Sequence, residues 1–232
     1  MSGVMTRLVS VSVAAIAAFL WAAAAPLPAL AHQDAQYWSS LGLDTTFFRK
    51  LKLSVGGGLR FGNEMGTLYR ASPDATLAYG FCDWFSAAAG YRQVFERDYF
   101  DDVTPASGWN REYRPHVDAS FSFKINGFKF SNRNMFELRI LTDTSYKVRY
   151  RNRLEVVPPL AWTRIRIEPF ASEEIFIGLK SGEFERNRLS SGFSAKPWNH
   201  VKLKLYYLWQ AQRQPNDWLN FNVLATDITF SF

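Results

Sequence analysis

The chain has 232 residues, 47% hydrophobic and 16% aromatic, with a formal net charge of +6. One domain of ordinary size fits this length. The basic excess is too small and scattered for a nucleic-acid binder, and the single cysteine, Cys82, excludes an internal disulfide.

Residues 1–31 come first. Arg7 precedes an apolar run over 8–25, Pro26 and Pro28 break it, and Ala29-Leu30-Ala31 supplies small residues before His32. This is the pattern of a cleaved secretory signal peptide, with 32–232 left as one exported domain. No later segment approaches the roughly 20 apolar residues of a membrane helix.

Instead, period-two alternation recurs in eleven segments: 36–48, 50–62, 67–81, 84–97, 111–124, 127–140, 145–157, 163–177, 183–195, 199–213 and 217–232. In the fifth, Tyr113, Val117, Ala119, Phe121, Phe123 and Ile125 oppose Glu112, Arg114, His116, Asp118, Ser120, Ser122 and Lys124. In the tenth, Val201, Leu203, Leu205, Tyr207, Trp209 and Ala211 oppose Lys202, Lys204, Tyr206, Gln210 and Gln212. Each segment is about as long as a tilted strand needs to cross a bilayer.

The connections fall into two sets. Asn126-Gly127 suits a two-residue hairpin turn because both residues tolerate positive φ. Residues 81–84, 157–161 and 197–200 also make short links, while the link over 98–110 is longer and rich in Asp, Pro and Gly. Short turns on one side and longer loops on the other form the outer-membrane pattern, with the short turns periplasmic. The final strand agrees: Ile228, Phe230 and Phe232 face one way, and Asp227, Thr229 and Ser231 the other. Such a strand presents an apolar face to lipid, and its terminal phenylalanine suits recognition by the barrel-assembly machinery.

These features predict an all-β fold, a transmembrane antiparallel up-and-down β-barrel of 10–12 strands. Single-chain bacterial barrels have even strand numbers, so the eleven segments leave ten and twelve open. A soluble β-sandwich has shorter strands, of about five to six residues. A lipocalin-like soluble barrel leaves the terminal phenylalanine and the aromatic strand ends unexplained.

The polar face then looks inward, and it is rich in arginine. Lys147, Arg149, Arg151, Arg153 and Glu155 alternate on one strand. Arg164, Arg166, Glu168 and Glu174 follow on the next, then Arg186 and Arg188, then Lys202 and Lys204. Sequential strands are neighbours in such a barrel, so these cations are expected to form a ladder on one wall. Two readings follow. A water-filled lumen with this wall is a small channel favouring anionic solutes, since the arginine fork pairs carboxylate or phosphate. In a narrow barrel the same residues are filling, and the protein acts through its outer loops.

Outer-membrane lipid hydrolases use a serine with a histidine. The best trio here is His116, Asp118 and Ser120 on one strand face. Residues four apart on a strand lie about 13 Å apart, too far for proton transfer, so no catalytic role is expected. The sequence suggests no metal-ligand cluster and no cofactor. The expected partners are outer-membrane lipid, the assembly machinery and small anionic solutes, with the protein a monomer.

Several stretches carry a family resemblance. They are Trp38, Lys50-Leu51-Lys52-Leu53, Ala89-Gly90-Tyr91-Arg92, Tyr150-Arg151-Asn152-Arg153-Leu154, Leu203-Lys204-Leu205-Tyr206-Tyr207 and Asp227-Ile228-Thr229-Phe230-Ser231-Phe232. With these the chain resembles a family of Gram-negative outer-membrane barrels, domain-of-unknown-function family 2490. The resemblance implies an outer-membrane location and carries no substrate or catalytic residues.

Overall fold

A computed structural model describes residues 33–98, 108–142, 145–215 and 217–232. The signal-peptide reading, and most of the long link over 98–110, lie outside the described residues. Within the unit His32–Phe232, eleven strands form among the described residues. They are β1 (Gln33–Phe47), β2 (Leu51–Gly62), β3 (Thr67–Cys82), β4 (Phe85–Glu96), β5 (Asn110–Ile125), β6 (Phe128–Leu141), β7 (Tyr146–Val157), β8 (Glu168–Gly178), β9 (Glu183–Trp198), β10 (Val201–Arg213) and β11 (Trp218–Ser231).

Each strand pairs with the next, and the ring closes between β11 and β1. The segment at 36–48 is therefore a full wall strand, and the count is neither ten nor twelve. An odd meander leaves its first and last strands pointing the same way, so the seam must be parallel. The register runs from Gln33 opposite Asn220 to Asp44 opposite Ser231. This corrects the all-antiparallel expectation at one junction. Side chains reinforce the seam: Ser40 Oγ donates to Asp227 Oδ1 at 2.6 Å, and Tyr37 and Thr226 share a 2.5 Å hydroxyl contact.

The alternation decides which face looks inward. Glu112, Arg114 and His116 of β5 are buried, while Tyr113 and Val117 between and beyond them are exposed. The lower rim carries the turns before β2, β4, β6, β8 and β10; the upper rim carries the others. At Asn126-Gly127 both residues have positive φ, 50° and 85°, as the two-residue turn requires.

One strand boundary differs from expectation. Residues 163–167 alternate like a strand, yet Thr163 and Arg166 have positive φ, and Trp162 bridges to Ile167. They form a small hairpin on the lower rim, after Pro158 and Pro159, and β8 begins only at Glu168.

Candidate functional site: the barrel interior

The waist of the barrel is crowded with inward side chains. Cross-strand register sets one inward row in which Met135, Arg151, Phe176, Arg186 and Gln212 are successive neighbours. The row below holds Arg133, Arg153, Glu174, Arg188 and Gln210. Phe176, 1% exposed, stands among four guanidinium groups. Arg149, Arg151, Arg186 and Arg188 lie 5.0, 4.8, 5.5 and 4.7 Å from its ring centre. Such contacts hold cations over an apolar surface.

Two buried carboxylates organise these cations. Glu137, 1% exposed, is opposite Arg149 in register and accepts its hydrogen bond. It also accepts from Arg151 Nη1 at 3.1 Å. Glu174 accepts from Arg151 Nη2 at 2.7 Å, Arg133 Nη2 at 3.1 Å and Arg188 Nη1 at 3.2 Å. Arg151 thus bridges the two acids. A third acid, Glu112, accepts from Arg114 at 2.5 Å and from Arg139 at 2.5 and 3.2 Å.

An apolar wedge completes the plug on the seam side. Trp38, Leu208, Phe221, Val223 and Ala225 form a buried cluster inside the barrel. Small Ala225 is the register partner of Trp38 across the seam, which leaves space for the indole. Trp38 Nε1 donates to Gln36 Oε1 at 2.8 Å, and Arg60 lies 3.6 Å from the Trp38 ring centre. Tyr69 and Arg70 both turn inward because a bulge shifts the β2–β3 register between Arg60 and Phe61.

Cavities lie above and below this waist. An upper vestibule of about 570 Å³ is lined by Arg60, Arg70, Arg186, Gln36 and Gln210 among others. A second cavity, of about 370 Å³, opens beside Gly56 and Gly58 and reaches Trp38, Arg60, Arg151 and Arg188 at the waist. A lower-rim basin of about 630 Å³ is faced by Lys124, Lys129, Lys196, Lys202 and Lys204. Lys204 is neutralised by Glu155 at 2.9 Å and Lys129 by Glu168 at 2.9 Å.

The candidate residues sort accordingly. Arg149, Arg151, Arg153, Arg186 and Arg188 face inward near the waist, and Lys202 and Lys204 face the lower basin. Arg164 and Arg166 do not join them. Both sit on the exposed rim hairpin, where Arg166 reaches Glu168 only at 3.7 Å. Nor is the cationic surface one wall, because Arg60, Arg70, Arg92, Arg114, Arg133 and Arg139 bring cations from β2 to β6. These six stand at polar positions of alternating strands, which was the available signal.

Ile228, Phe230 and Phe232 are exposed on the outer face towards the lower rim. Phe232 stacks on His200 with ring centres 5.4 Å apart. The His116 ring contacts Thr76 Oγ1 at 3.4 Å and the Arg114 carbonyl at 3.3 Å. It makes no hydrogen bond to Asp118 or Ser120 among the described residues. Gly90 makes room for it, since a Cβ there would lie 2.5 Å from His116 Nε2.

Fold and interior together define a closed β-barrel with a salt-bridged, aromatic-filled core and an apolar outer face. Over residues 35–220 the chain matches the family described as protein of unknown function, DUF2490. The chain belongs to that family. No curated protein matches it.

Proposed function

We propose that this barrel spans the outer membrane of a Gram-negative cell, closed at its waist and acting through its two mouths. The observation that carries this reading is the inverted burial. Arg114, Glu137, Arg149 and Glu174 are buried inside, whereas Leu41, Val55, Leu77, Val117, Phe136 and Leu205 are exposed around the outside. An apolar surface encircling a protein needs a cover, and lipid provides one for a barrel whose sheet closes on itself. Aromatic residues at both rims support it: Trp84 and Trp198 below, Tyr146 and Trp218 above.

Phe176, Trp38 and the paired arginines, which crowd the interior between the vestibules, support the closed reading. The cationic mouths favour small anionic solutes. The tests are membrane fractionation of cells and planar-bilayer recording of the refolded protein, with reversal potential under a salt gradient. The proposal expects a membrane-bound, heat-modifiable protein with no conductance steps. Recovery in the soluble periplasmic fraction refutes the membrane reading. Anion-selective steps reduced by Arg151→Ala and Arg188→Ala refute the closed waist and establish an open anion pore.

A further inference from the structure

We infer that the upper vestibule is a binding site for a small solute bearing two or more carboxylate or phosphate charges, clamped by Arg60, Arg70 and Arg186. All three line the same cavity of about 570 Å³, the size of a small-molecule site.

What sets them apart is a shortage of close counter-charge among the described residues. Elsewhere in the interior, Glu112, Glu137 and Glu174 engage Arg114, Arg139, Arg149, Arg151 and Arg188 closely. Among the described residues, neither Arg60 nor Arg186 has a carboxylate oxygen within 4.0 Å, and Arg70 reaches Glu96 only at 3.7 Å. Other groups hold the cations without neutralising them. Arg60 lies over Trp38, and Arg186 Nη2 donates to Gln212 Oε1 at 2.5 Å.

Arg70 is 5% exposed and faces the same cavity as Arg60 and Arg186. The guanidinium fork fits carboxylate and phosphate oxygens in pairs, and partial burial strengthens each contact. Asp98, Glu96 and Glu112 also line the cavity. Glu112 is already saturated by Arg114 and Arg139, so the remaining balance around the three arginines is positive. This site goes beyond the closed-barrel reading, because it needs neither conduction nor movement of the waist.

The test is titration calorimetry on the full chain refolded in detergent micelles. Citrate and inorganic phosphate are the probes, acetate is the monoanion control, and sodium chloride holds ionic strength constant. Heat-modifiability on gels reports folding in every sample. The folded protein is expected to bind citrate or phosphate saturably and acetate more weakly. Arg60→Gln and Arg186→Gln are each expected to weaken binding about tenfold or more. Arg166→Gln, on the exposed rim hairpin outside both mouths, leaves binding unchanged. Arg60→Lys keeps the charge and loses the fork, and is expected to weaken binding even if Arg60→Gln fails to fold. Three results overturn the inference: no saturable binding by folded protein, binding retained in folded Arg60 and Arg186 variants, or equal loss in Arg166→Gln.

Discussion

Glu137→Gln tests whether the arginine network holds the barrel together. Glutamine keeps the shape of the side chain and one acceptor oxygen but removes the charge. The carboxylate is 1% exposed and accepts from Arg149 and Arg151, with Arg114 Nη1 at 4.0 Å. Arg151 retains Glu174 at 2.7 Å. Arg149 retains only Glu185, at 3.9 Å and one-third exposed, so the penalty falls mainly on Arg149. Removing one member of a buried pair costs about 3–5 kcal/mol. The retained acceptor places this substitution near the lower end, at about 3 kcal/mol. The assay is equilibrium urea unfolding in lipid vesicles, followed by tryptophan fluorescence from the chain's eight tryptophans. Replacing both members, Glu137→Met with Arg149→Met, is expected to recover most of the loss, because no charge is left unpaired. A loss under about 1 kcal/mol for Glu137→Gln, or a double variant no better than the single one, refutes the reasoning.

Other outcomes follow from the same geometry. Phe176→Ala removes the ring at the centre of the waist and costs about 3–5 kcal/mol. Combined with Trp38→Ala it is expected to produce conductance steps in a planar bilayer, and continued silence counts against these rings as the barrier. Gly127→Ala puts a Cβ at φ 85° and 2.9 Å from Pro159 Cβ, so a loss of at least about 1–2 kcal/mol is expected in the same unfolding assay. Arg166→Ala, on the exposed hairpin, is expected to change stability by less than about 0.5 kcal/mol. A larger loss would place Arg166 in the wall after all.

Strand existence and facing were legible in the sequence because a two-faced strand writes its environment at every second residue. The fifth and tenth segments gave both faces correctly, and the Asn126-Gly127 turn declared its own backbone geometry. The second half of the eighth segment is equally plain, but its first half is a rim hairpin and not a strand. Thr163 to Ile167 alternate, and alternation alone does not distinguish a strand from a hairpin arm bent by residues at positive φ. Leu208, Phe221 and Val223 were missed as interior residues because apolar side chains facing inward blur the pattern of a membrane barrel.

The sequence by itself determined a β-barrel with charges on one face, because period two and turn chemistry are local properties. It could not determine the parallel seam, since that depends on whether two strands nearly two hundred residues apart meet in the same direction. Nor could it sort the arginines into paired and unpaired. Cross-strand register and one bulge put Glu137 beside Arg149 and Glu174 beside Arg188, and left Arg60 and Arg186 with no carboxylate oxygen within 4.0 Å among the described residues. Coulomb pairing acts over a few ångströms between strands, and only the closed tertiary structure fixes those distances.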